Sequence, residues 1–108
     1  MKFEYKAILA LAVVAVLSVP AEASQELIRK ARCVACHAVD SKRVGPAYRD
    51  VAEKYRGQAD APGHLFDKVR QGGTGNWGQI PMPPHGEDKI SDADLKAVIQ
   101  WILEGAKG

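Results

Sequence analysis

Cys33-Val34-Ala35-Cys36-His37 is the stretch that decides how this chain is organised. On a helical turn, two cysteines three residues apart put both sulfurs on one side. The imidazole of His37 follows at once. Two thiols and an imidazole arranged in this way are the signature of covalent c-type haem attachment, which takes place outside the cytoplasm. The thiols add across the two porphyrin vinyl groups while the imidazole binds the iron. Other uses of the pair fit less well. A thioredoxin-like dithiol sits in a βαβ setting, and no strand pattern surrounds this one. A zinc site would have to draw on the distant His64 or His85, whereas structural zinc sites generally use a second closely spaced pair. A Cys33–Cys36 disulfide would close a very small loop and constrain little of the unfolded chain.

Upstream of the motif, the start of the 108-residue chain reads as an export signal. Lys2 and Lys6 form a charged start, an apolar stretch runs from Ala7 to Val19, and Pro20 precedes the small-residue site Ala21-Glu22-Ala23. As a helix, the apolar stretch would span only about 20 Å, against about 30 Å of hydrocarbon, so cleavage after Ala23 is expected in preference to a membrane anchor. The expected division is therefore a signal over residues 1–23 and one domain over residues 24–108. Removing 23 of 108 residues leaves 85, a size at which a side-chain core alone is marginal. Chains of this size usually recruit disulfides, a metal or a cofactor, and two cysteines allow at most one disulfide. A formal net charge of +2, unchanged by the cleavage, is far too small to indicate nucleic-acid binding.

Downstream, Gly and Pro punctuate four helical stretches, with no repeat and no second domain. The first is expected from about Ser24 to Arg32, with Ser24 as N-cap. The second begins after Gly45, with Pro46 at its first position and Tyr48, Val51, Ala52 and Tyr55 at helical spacing before Gly57. The third is expected from about Ala61 to Gln71, with Leu65, Phe66 and Val69 inward and Gly72-Gly73 as its stop. The fourth has the strongest signals. Ser91 with Asp94 resembles a capping box, Leu95, Val98, Ile99, Ile102 and Leu103 trace one apolar stripe, and Gly105 ends it. Residues 72–85 form a long irregular segment. It contains Trp77, Ile80 and Met82, so packing against something is expected of it rather than disorder.

A second iron ligand is expected in that segment, because an occupied sixth position limits rearrangement on reduction. Met82 is the candidate. Apart from Met1, which is lost with the signal, it is the only methionine, and Pro81, Pro83 and Pro84 fix the backbone around it. A methionine can equally be a core filler. His85 is a fallback ligand that fits better as a solvated residue near the haem edge, and His64, beside Pro62 and Gly63, reads as a surface residue.

With CVACH, Gly45-Pro46-Ala47-Tyr48, Trp77-Gly78 and Ile80-Pro81-Met82-Pro83-Pro84 in this order, residues 24–104 resemble the small bacterial class I cytochromes c of the cytochrome c-551 type. The resemblance implies an all-α fold of four to five short helices wrapped around one covalently bound haem c, with Cys33 and Cys36 as attachment points and His37 and Met82 as axial ligands. It further implies that the Pro46 carbonyl accepts the other ring N–H of His37 and that Trp77 hydrogen-bonds a haem propionate, helped by Lys68. Relatives commonly carry arginine at Lys68, whose bidentate grip a lysine cannot reproduce. They often carry asparagine at His85. Protonation of a histidine near the haem edge would disfavour ferric iron, so a midpoint potential that rises at low pH is expected if His85 lies there.

The function expected from these readings is a soluble periplasmic one-electron carrier, a monomer and not an enzyme. Its partners would be redox proteins such as a respiratory complex, a terminal oxidase, a nitrite reductase or a peroxidase, with membranes met only through docking to them. Tyr48, Tyr55 and Trp101 read as haem-packing or core residues. The rivals are a catalytic or gas-binding haem protein with Met82 off the iron, distinguished by rapid carbon monoxide binding, and a thiol oxidoreductase, distinguished by a haemochrome assay.

Overall fold

The computed structural model describes residues 21–108, so the charged start and apolar stretch of the expected export signal lie outside the described residues. Ala21-Glu22-Ala23 form the first turn of α1 (Ala21–Lys30). Ser24 therefore does not cap this helix as expected. It lies inside it, fully buried, with its hydroxyl unpartnered, because three helical residues precede it and a cap must stand at a helix end. The helix also stops short of Arg32, whose positive φ of 64° turns the chain into a single 3₁₀ turn, Cys33–Ala35.

Helix α2 (Tyr48–Lys54) starts later than expected, with Ala47 as its N-cap. Pro46 lies outside it. The first two amides of the helix donate instead to the segment that follows the cysteine motif, Tyr48 N–H to Ala38 O at 2.9 Å and Arg49 N–H to Val39 O at 3.0 Å. These bonds satisfy groups that a helix start would otherwise leave open, and they leave the Pro46 carbonyl free for a different partner. Helix α3 (Ala61–Gln71) has the expected bounds, with a proline in its first turn and Gly72 at positive φ after its last residue.

Helix α4 (Asp92–Leu103) is the hub on which α1, α2 and α3 all pack. Ser91 Oγ accepts from Asp94 N–H at 3.2 Å, the capping contact read from the sequence. The other end closes with Gly105 at φ 107°, where Ala106 N–H donates to Trp101 O and Gly105 N–H to Ile102 O, the paired bonds of a Schellman motif. Leu95, Val98, Ile99, Trp101 and Ile102 are buried along one side of α4, each contributing about 1.5–3 kcal/mol of transfer free energy. Ile28 and Ala31, Tyr48, Val51 and Tyr55, Ala61, Ile90 and Ala106 complete the core. Among the described residues the only sheet-like pairing is an isolated antiparallel bridge, Gly73 with Met82. The all-α arrangement is the expected one. No described helix is long and apolar enough to cross a membrane.

Candidate metal centre

The helices do not close on one another completely. They leave a cavity of about 570 Å³ whose lining includes Cys33, Cys36, His37, Lys68, Trp77 and Met82, a volume within the range of about 300–1,000 Å³ usual for cofactor sites. Val51, Leu65, Val69, Leu95 and Val98 supply apolar wall. Leu65 and Val69, expected to point inward from α3, are only half-buried because they face this space. A more open groove of about 600 Å³ between α3 and α4, lined by Pro62, Phe66, Ile99 and Leu103, contains none of the candidate donors.

His37 is fixed on three sides. Its Nδ1–H donates to the Pro46 carbonyl at 2.8 Å, the contact implied by the resemblance. Since a carbonyl can only accept, a proton sits on Nδ1, which in the neutral ring leaves the lone pair on Nε2. Tyr48 stacks on the imidazole at 5.1 Å between centroids and an interplanar angle of 17°, and Trp101 meets Tyr48 edge-on at 5.9 Å. Gly45 forms the third side. A Cβ there would stand 2.5 Å from His37 Cε1, so the ring occupies the room that a side chain would take. The glycine at position 45 was visible in the sequence, but its closeness to His37 depends on the turn that links them, Gly45 N–H to Cys36 O at 2.8 Å.

Met82 is held through its backbone. Gly73 N–H donates to Met82 O at 2.9 Å and Met82 N–H to Gly73 O at 3.0 Å. Any side chain on Gly72 would strike the Met82 carbonyl oxygen, which explains why glycine follows α3. The chain beyond Met82 is gripped by Arg70, whose guanidinium donates to His85 O at 3.1 Å, Ile90 O at 2.8 Å and Asp92 Oδ1 at 2.6 Å while packing over Phe66. Sequence reading missed Arg70. An arginine near a helix end carries no mark of the carbonyls it will meet.

The remaining candidates divide. Lys68 and Trp77 both line the cavity, and the Lys68 ammonium lies near Gly73. His85 also lines it, half-buried, with Nδ1–H donating to Pro83 O at 2.8 Å. His64 is exposed, as expected, and rests against Tyr55 and Asn76.

Burial pushes the Cys33 thiol up from its ordinary value, and burial together with the neighbouring Cys33 pushes the Tyr48 phenol up. An exchanging dithiol needs the opposite shift at its attacking cysteine. No cluster of three or more His, Cys, Asp or Glu side chains that could hold a bare metal ion occurs among the described residues. The residues fit a haem instead. A porphyrin brings four nitrogen donors of its own, so two protein ligands and an apolar slot are enough.

Comparison with known proteins agrees with this fit. The family model described as cytochrome c matches residues 21–106. The chain is 53% identical over 77 residues to cytochrome c-551 of Allochromatium vinosum, covering 71% of this chain and 80% of the relative. It is 47% identical over 81 residues to cytochrome c-552 of Hydrogenobacter thermophilus, covering 75% of this chain and 80% of the relative. Among solved structures it resembles wild-type cytochrome c552 of Nitrosomonas europaea, with a TM-score of 0.70 at 48% identity over 75% of this chain and 98% of that one. It also resembles the class 1 cytochrome MtoD of Sideroxydans lithotrophicus, with a TM-score of 0.71 at 35% identity over 82% of this chain and 99% of that one. From sequence to folded shape the likeness spans nearly all the described residues, and the chain belongs to the cytochrome c family, among its small class I, c-551-type members, with one haem c covalently attached.

Proposed function

We propose that the protein is a soluble periplasmic monohaem carrier that takes one electron from a redox protein and gives it to another, and that it performs no catalysis of its own. In this reading Cys33 and Cys36 would hold the haem as thioethers, His37 and Met82 would bind its iron, and Lys68 and Trp77 would serve the propionates. When bound, haem iron supplies reversible one-electron exchange between the ferrous and ferric states. The residues of the chain supply the rest. Pro46 keeps the His37 proton on Nδ1, which orients Nε2 as a donor toward a metal and strengthens its basicity. A thioether from Met82 favours the ferrous state. The apolar lining from α2, α3 and α4 keeps water out. The His37 ring and the main chain of Met82 are held by short hydrogen bonds, which limits their movement when the oxidation state changes.

The observation that carries this proposal is that His37 and Met82, on separate segments, both line one apolar cavity and are both fixed through main-chain carbonyls. Val44 and Ile80 also line the cavity and are 49% and 68% exposed, and Lys30 and Arg32 are among the other residues that line it. An apolar rim with cations suits brief docking to a redox partner such as a respiratory complex, a terminal oxidase, a nitrite reductase or a peroxidase. Periplasmic location is supported by the export features of residues 1–23 and by the site of c-type haem attachment. The test is the methionine-to-iron charge-transfer band of the ferric protein. It should be present in the wild type and absent in Met82→Ala, with haem still attached in both. A wild type that lacks the band and binds carbon monoxide rapidly when reduced would overturn the proposal.

A further inference from the structure

The loop over residues 73–82 forms one wall of the cavity, with Gly73, Trp77, Ile80 and Met82 among the residues that face it. Its base is tied by the Gly73–Met82 pair of hydrogen bonds. Little else in the loop holds it. Gly73, Gly75 and Gly78 all have positive φ, at 112°, 116° and 115°, and contribute no side chains, while Ile80 is 68% exposed. The tip, where Gly75 N–H donates to Gly78 O at 3.0 Å, carries Asn76 and Trp77, and both meet Lys54. The Lys54 ammonium donates to the Asn76 carbonyl at 3.1 Å and lies 4.6 Å from the centre of the Trp77 ring. It stands at the last residue of α2, next to the buried Tyr55. A longer contact between the Asn76 side-chain amide and His64 Nε2, at 3.5 Å, reaches the tip from α3.

We propose that Lys54 is a positioning residue, a latch that holds the loop tip against α2 and thereby keeps closed the wall carrying Met82. The proposal rests on the reading of Met82 as an iron ligand. An exposed lysine usually contributes little to global stability. Here one ammonium engages a carbonyl and an indole face together, and the quantity at stake is the opening of a loop with few other anchors, which lies at the low end of local stabilities. Loss of a cation–π contact and a hydrogen bond of ordinary strength then multiplies the open population about two- to five-fold or more.

The test uses the ferric holoprotein and imidazole as the exogenous ligand, read as the limiting rate at saturating imidazole, where release of Met82 from the iron governs exchange. Lys54→Met should raise this rate about two- to five-fold or more with the thermal midpoint almost unmoved. Lys54→Arg should bring the rate back toward wild type, because a guanidinium can also stack on the indole and donate to the carbonyl. Lys42→Met removes an equal charge from an exposed site and should leave the rate unchanged. Equal rates for wild type and Lys54→Met would overturn the latch, and so would an equal increase in Lys42→Met, which would indicate a general charge effect. If the wild type lacks the methionine-to-iron band and its imidazole binding never reaches a limiting rate, the ligand assignment fails and the latch falls with it.

Discussion

Position 45 has room for a hydrogen atom and nothing larger, because the His37 ring lies where a Cβ would go. The ring cannot yield easily, being bonded to Pro46 O and stacked on Tyr48. Gly45→Ala should therefore cost about 1–3 kcal/mol, the usual range for overpacking, seen as a lower denaturant midpoint of the holoprotein. A midpoint equal to wild type would mean that the ring moves freely. At Met82 the expected change is electronic. Replacing a soft thioether by an imidazole in Met82→His should lower the midpoint potential by on the order of 100 mV, a fraction of the roughly 0.8 V that axial ligands span. Potentiometric titration of the two proteins checks this.

Between the elements, Arg70 ties α3 to the chain that follows Met82 and to the start of α4. Its side chain is 16% exposed, so Arg70→Met would leave the His85 and Ile90 carbonyls short of a donor in a largely dry setting. A loss of about 2–4 kcal/mol is expected by thermal or denaturant unfolding. Loss of the exposed Asp92 partner alone should cost far less, which Asp92→Asn would show. Legibility in the sequence follows the same division. Helices α3 and α4 were readable because proline, glycine and Ser91 mark their ends and apolar periodicity marks their buried side. The bounds of α1 and α2 were not, because they depend on partners remote from the local pattern. Arg32 turns α1 into the cysteine motif, and Ala38 and Val39 provide the acceptors that start α2 at Tyr48. Arg70 and Lys54 were invisible for the same reason, since their acceptors are backbone carbonyls 15 to 22 residues away.

For the molecule as a whole, the cavity is the main energetic fact. Without its cofactor the apolar lining of this 570 Å³ space would face water, forfeiting burial that a domain of this size depends on. A Cys33→Ala/Cys36→Ala protein that acquires no haem is expected to lose its cooperative thermal transition, whereas the holoprotein unfolds sharply. Calorimetry or circular dichroism distinguishes the two. In the proposed reading the helices are arranged around the group that Cys33 and Cys36 would attach, so the motif bears on the fold as well as on the cofactor. Proton NMR of the ferrous holoprotein shows whether Met82 is bound to the iron. With Met82 bound to the iron, its methyl and methylene protons are expected far upfield, shifted by the ring current of the porphyrin. A Met82 methyl at an ordinary chemical shift, with the ring protons of His85 shifted in its place, would contradict it.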